Sequence, residues 1–409
     1  YRQGDIPKGK RWLDLLFKPD EILELLQNSP IITTLSNYFS VSYGNIAYLV
    51  LTSDGTIRGV RNIGGESFFY LNEERAYRKR LLPNWVYPLL PSSNYMTYFT
   101  FREEDWSALK ETGGECYLFL AHKPLGELPD EVKLYIKEGE TSIYLRRKKR
   151  EEKPKTVNQS HASQTRAKHT RYFYGWYDLG GVVEAPIYVT YGSQYWMRFV
   201  LAKFNCALDH RILALIPKEN INFDEMELKA LLAFLNSSFG QLQAEVRGRS
   251  TGGGMIELDV KPLSDFLTLD VKKLLREDVK ELADLFDKLE EETRRINGAD
   301  KAENVFGSEL AKGLTGREDV KEGITGLFNT VIEEIDYRIA ELLSLEGLVK
   351  PVRTMVEAYA KRRLSRAIEA KPGALKGAEE PFIMSKEKTR KRQKENKVSV
   401  NVKRLTDFV

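Results

Sequence analysis

The chain has 409 residues, against the roughly 100 to 200 that one domain usually holds, so two or three domains are expected. Hydrophobic residues make up 42% and charged residues 30%, which excludes a wholly disordered chain, and 63 Lys and Arg against 59 Asp and Glu leave +4, so polyanion binding must come from local patches. No run approaches the roughly 20 apolar residues of a membrane span, and two cysteines with four scattered histidines make neither a disulfide scaffold nor a zinc site, which predicts a soluble cytoplasmic protein with no metal and no membrane partner.

An opening segment, 1–30, reads as a linker with a leading helix. From Thr33 to Pro217 β-branched and aromatic runs bounded by Gly, Asn and Asp predict short strands: Ile46 to Thr52, Phe68 to Leu71, Cys116 to Ala121, Glu140 to Leu145, Ile187 to Thr190 and Ile212 to Ile216. Inside this stretch 146–171 is a polar insertion with ten bases against two acids. A helix is expected over Phe223 to Phe239, then a loop from Arg247 to Gly254, because that segment is too rich in glycine for a regular element, then a strand from Met255 to Val260. Beyond Pro262 apolar stripes at helical spacing predict helices around Val271 to Leu289, Val331 to Leu343 and Val352 to Ile368, broken between Asn297 and Thr325 by glycines, and forming a small bundle or packing back on the strands. From Lys371 onward eleven bases against five acids read as a flexible basic tail. The fold class is therefore α+β: a β-rich target module (31–262), a helical region (263–370) and a disordered basic tail (371–409).

No P-loop, dinucleotide fingerprint, zinc-protease or nucleophile-elbow pattern occurs, so no catalytic residue is assigned. The turn Gly252-Gly253-Gly254, with Arg247 and Arg249 before it, allows close approach of a phosphate backbone; as structure alone it is a mobile connection. Arg146, Arg147, Lys148, Lys149 and Arg150 are a solvated hairpin tip or a phosphate-contacting run, and the aromatics that follow them, Trp176 and Tyr177 among them, are packing or base contacts. Ser42-Tyr43-Gly44-Asn45 is a tight reversal whose Asn45 is suited to adenine, and Arg61 is a further candidate on chemistry alone.

These pieces occur in a recognisable order. Leu35 to Val50, Leu82 to Leu90, Trp176-Tyr177-Asp178-Leu179, Ala185-Pro186-Ile187, Leu232 to Ser238, the glycine turn and Ile332 to Leu343 together resemble the C-terminal target-recognition region of adenine-specific DNA methyltransferases of the restriction-modification type, discontinuously from about Pro7 to Leu345. The segment Asn236-Ser237-Ser238 followed by the glycine turn, and the closing helix with Ile335-Asp336, are its most specific parts. The resemblance implies double-stranded DNA as partner, with Asn236 and Ser237 near the contact. The glycine motif and N-P-P-[YF] loop of the catalytic half are absent from the sequence. S-adenosylmethionine is therefore expected not here but in a separate catalytic methyltransferase domain or subunit, and the missing initiating Met points to a fragment of something longer. Alternative readings are a non-catalytic specificity subunit of a multi-subunit restriction-modification complex, and a DNA nuclease with a dispersed carboxylate site. The terminal residues Leu405 and Phe408, three apart after a basic stretch, resemble a sliding-clamp peptide, and heavy use of Lys, Glu and Arg suggests a thermophilic source.

Overall fold

A computed structural model describes residues 18–44, 49–51, 57–59, 65–145, 155–182 and 184–370. Asn45, Arg61, the run Arg146, Arg147, Lys148, Lys149 and Arg150, the tail, and Leu405 and Phe408 lie outside them.

A five-stranded sheet organises the molecule, in the spatial order Phe39–Tyr43, Ile212–Pro217, Ile187–Thr190, Phe199–Ala202 and Thr100–Phe101. Neighbours are antiparallel except the last pair, which is parallel. Because successive side chains point to opposite faces, the three central strands serve two interiors. Ile187, Val189, Phe199, Leu201, Leu213 and Leu215 enter one core, while Tyr188, Val200, Ile212 and Ala214 enter the other.

On the first face lie the helices Pro19–Gln27, Glu225–Leu235, Ser238–Arg247, Arg276–Arg295, Val331–Leu343 and Val349–Ala370, so the C-terminal helices pack back onto the sheet. Helix Arg276–Arg295 buries Val279, Leu282, Phe286 and Leu289, the spacing that predicted it. On the second face a four-stranded sheet (Ala207–Leu208, Val86–Leu90, Tyr117–Phe119, Tyr70–Leu71) and the helices Glu73–Arg78, Glu103–Glu111 and Asp130–Thr141 enclose a core rich in aromatic rings, with Phe68 stacked on Tyr135 at 4.5 Å. The α+β class holds.

Several local expectations are corrected. Phe68 and Phe69 belong to the helical turn Glu66–Phe69, since both N–H groups donate to the Gly65 carbonyl, and only Tyr70–Leu71 is strand. Glu140 and Thr141 belong to the last turn of a helix, Asp130–Thr141, whose buried Val132, Tyr135, Ile136 and Gly139 are helical in period, so the strand expected from Glu140 is confined to Ile143–Leu145. The helix expected from Phe223 to Phe239 is two helices, divided at Asn236, with the Ser237 hydroxyl capping the second by accepting from Gly240 N–H. Arg249–Ser250 is a short strand against Ile256–Glu257, not loop, and Val260 opens a helix rather than closing a strand.

Candidate nucleic-acid interface

The two most specific parts of the resemblance meet in space. Asp336, on the closing helix Val331–Leu343, is fully buried and accepts from Ser238 N–H at 2.8 Å, Ser238 Oγ at 2.6 Å and Arg353 Nη1 at 2.9 Å. Its carboxylate thus holds the first turn of helix Ser238–Arg247, where backbone donors lack intrahelical partners and negative charge is favoured. Burial nevertheless outweighs these partners and pushes its pKa up to about 6. Asn236 is equally buried: its Oδ1 accepts from Phe199 N–H at 3.0 Å and its Nδ2 donates to the Phe199 carbonyl at 2.8 Å and the Leu232 carbonyl at 2.9 Å. The Asn236 side chain is therefore committed to joining helix and sheet, and the Ser237 hydroxyl, which donates to the Phe234 carbonyl at 2.6 Å and accepts from Gly240 N–H, to joining the two helices.

Helix Ser238–Arg247 leads directly into the glycine turn. A three-stranded sheet of Gly192–Ser193, Ile256–Glu257 and Arg249–Ser250 forms its base, so segments far apart in sequence share one rim. Gly253 has φ +73° and Gly254 φ +72°, the left-handed region that glycine enters without penalty. A Cβ at Gly252 or Gly253 would meet nothing within 4 Å, whereas one at Gly254 would meet Leu364 at 3.1 Å. The first two glycines thus face open space, and the third is packed against helix Val349–Ala370. From behind, Gln194 Nε2 donates to the Gly253 carbonyl at 2.6 Å, and Arg363 Nη1 donates to the carbonyls of Gly254 and Gln194. Arg363 and its partner Glu245, 2.9 Å apart, are both buried, so the turn is fixed by a desolvated ion pair rather than left mobile.

Around this rim, exposed Arg249 pairs with Glu257 at 2.6 Å, and Arg247 ends the helix half-buried, with its Nε buried and unbonded. Burial lowers the Arg247 pKa from its ordinary value against the opposing pull of Asp265 and Asp20. Tyr43 donates its hydroxyl to Asp259 and its ring lies 6.2 Å from that of Tyr191, while Ser42 donates to the Tyr43 carbonyl at 2.9 Å. The structure therefore gathers Tyr43, Arg249 and the glycine turn around one small sheet. Trp176 and Tyr177 lie instead in the second core, where Trp176 Nε1 donates to Glu140 at 2.9 Å and Tyr177 Oη to the Lys123 carbonyl at 2.8 Å.

Sequence reasoning missed Gln194, Glu245, Arg353 and Arg363. Only Arg363 left a usable signal: it occupies the stripe Val352, Val356, Tyr359, Arg363, Ala367, and a charge at an apolar position of a helix needs a buried partner. Among the described residues no group of His, Cys, Asp and Glu could hold a metal ion, and no helix is long and apolar enough to cross a membrane.

Residues 60–306 match the family model of the type II methyltransferase M.Eco57I, C-terminal domain. A solved structure, that of the type IIG restriction endonuclease BpuSI, is similar at 14% identity and a TM-score of 0.48, covering 89% of this chain and 34% of that one, so the chain spans about a third of that enzyme's length. Comparison with curated proteins gives no match. The family model covers more than half of the chain, and the chain belongs to this family of restriction-modification methyltransferase C-terminal domains.

Proposed function

We propose that this M.Eco57I-type C-terminal domain is the DNA-reading part of an S-adenosylmethionine-dependent, adenine-specific methyltransferase whose catalytic domain lies elsewhere. The observation that carries the reading is the glycine turn: open at Gly252 and Gly253, pinned from behind by Gln194 and Arg363, and beside Arg249, it offers a rigid backbone surface to a phosphate strand. Backbone contacts of this kind set register on a duplex and leave base edges to side chains of the same rim; the Ser42 and Tyr43 hydroxyls, engaged by the Tyr43 carbonyl and Asp259, would exchange those partners to take part.

The chain's own glycines do not suit the cofactor. Gly252–Gly254 connects two strands of a hairpin, Arg249–Ser250 and Ile256–Glu257, instead of joining a strand to a helix N-terminus as a nucleotide-binding turn does. S-adenosylmethionine and the base-extracting loop are accordingly assigned to the partner domain, since chemistry on a stacked base requires its removal from the duplex.

Selection of bound sequences from a randomised duplex library tests the proposal. A short enriched sequence, lost in Gly253→Val, is the expected result. Retention of DNA without enrichment, or none at all, would refute sequence readout by this chain.

A further inference from the structure

The segment Trp176-Tyr177-Asp178-Leu179 is not absorbed by the rim just described, and Asp178 within it is fully buried. Both of its oxygens lie 2.9 Å from Nδ1 of His122, Oδ2 accepts from Tyr174 N–H at 2.8 Å and Oδ1 from Gly180 N–H at 2.7 Å. One buried carboxylate thus fixes a ring 56 residues away and the backbone of a second ring. Both rings are exposed, His122 with 47% of its side chain accessible and Tyr174 with 53% of the residue accessible. They lie 5.1 Å apart and are tilted by 54°. Lys123, next along the chain and exposed, has its carbonyl held by Tyr177 Oη and its ammonium 5.8 Å from the ring of Trp85.

An exposed tyrosine ring is ordinarily free to turn, and a surface histidine rarely has a fully buried partner. Here a buried charge fixes the His122 ring and the Tyr174 backbone, and the two rings lie against each other without being covered, which leaves an aromatic surface that a ligand can use. Ordered aromatic faces with a neighbouring cation suit a base stacked on a ring and its phosphate near the charge. Bases inside a duplex present only their edges in the grooves, so such a face is usable by an unpaired base.

We propose that His122, Lys123 and Tyr174 form a second nucleic-acid contact that takes an unpaired DNA nucleotide, with its base on the Tyr174–His122 pair and its phosphate toward Lys123. This goes beyond duplex reading at the glycine turn and does not depend on it.

The test uses the full chain and a fluorescein-labelled single strand of about 12 nucleotides, beside the matching duplex, with 2-aminopurine replacing one adenine in a parallel strand. Tyr174 is largely exposed, so its replacement leaves the fold intact. The expected result is single-strand binding that weakens by about fivefold or more in Tyr174→Ala and stays near wild type in Tyr174→Phe. Quenching of 2-aminopurine on binding should disappear in Tyr174→Ala, with duplex affinity unchanged. Absence of single-strand binding by the wild type, an unaltered affinity in a Tyr174→Ala, His122→Ala double variant, or an equal loss for duplex and single strand would each overturn the proposal. Duplex affinity of the wild type is a separate arm, and its failure would count against the reading of the glycine turn alone.

Discussion

Asp336 allows a prediction in which the sign, and not only the size, is informative. Its pKa rises from the usual 3.8 to about 6 in the folded protein because burial outweighs the hydrogen bonds of Ser238 and Arg353. A folded state that holds the proton more tightly than the unfolded chain is favoured by acid. The stabilising term is fully present below about pH 4 and is lost as pH rises through 6. The full difference is about 3 kcal/mol at 1.36 kcal/mol per unit, of which a little over 1 kcal/mol falls between pH 5 and pH 7. Asp209, Asp224, Glu225 and Asp270 have lowered pKa values and act in the opposite sense, so the wild-type curve alone is not diagnostic. The comparison with Asp336→Asn is, since asparagine keeps the shape and one acceptor but cannot titrate. Urea unfolding of both proteins at pH 5 and pH 7 should show the variant less stable than wild type at pH 5 by about 1 kcal/mol more than at pH 7. A deficit independent of pH, or greater at pH 7, would refute the claim that burial dominates this carboxylate.

Asp336→Ala, by contrast, leaves Arg353 without its closest anion and Ser238 unpaired, and should cost about 3 to 5 kcal/mol in the same denaturation assay. Asn236→Ala removes both hydrogen bonds to Phe199 and should cost about 2 to 4 kcal/mol, read as a fall in the unfolding midpoint. Arg363→Met abandons Glu245 in the interior and releases the glycine turn; a loss of about 3 to 5 kcal/mol is expected, partly restored by adding Glu245→Leu, with faster amide exchange at Gly252 to Gly254. Arg249→Ala should leave stability unchanged, because its pair with Glu257 is exposed, but lower duplex affinity and reduce the salt slope by about 1, measured by titration at several salt concentrations.

The sequence made the long C-terminal helices legible because their apolar stripes repeat over several turns: Val279, Leu282, Phe286 and Leu289 leave little choice of period. Strands Ile187–Thr190 and Ile212–Pro217 were legible for a different reason, being short apolar runs buried on both faces. Helix Asp130–Thr141 was not anticipated. Its buried positions are interleaved with charge, and the neighbouring strand Ile143–Leu145 carries the stronger local pattern. At the candidate interface, glycines and arginines were visible as residue types, but the restraint on the turn comes from Arg363, more than a hundred residues away, and no local pattern encodes that pairing. Asp336 and Ser238 belong to segments of one resemblance, yet their contact emerges only once the chain has folded. Trp176 illustrates the converse, an aromatic beside a basic insertion that lies 5.5 Å from Phe68 in the interior.

Because alternate residues of the central strands belong to different interiors, each strand carries two interleaved messages in a single stretch of chain. Substitution at Tyr188 or Ala214 is felt on one side and at Val189 or Leu215 on the other, so the two halves can drift at separate rates through point changes. Insertions are another matter. One added residue in Ile187–Thr190 would exchange the messages and thrust Tyr188 among the helices, inverting every position beyond it. Length variation among such chains should therefore be confined to the connections between these strands, while the strands themselves keep a constant count.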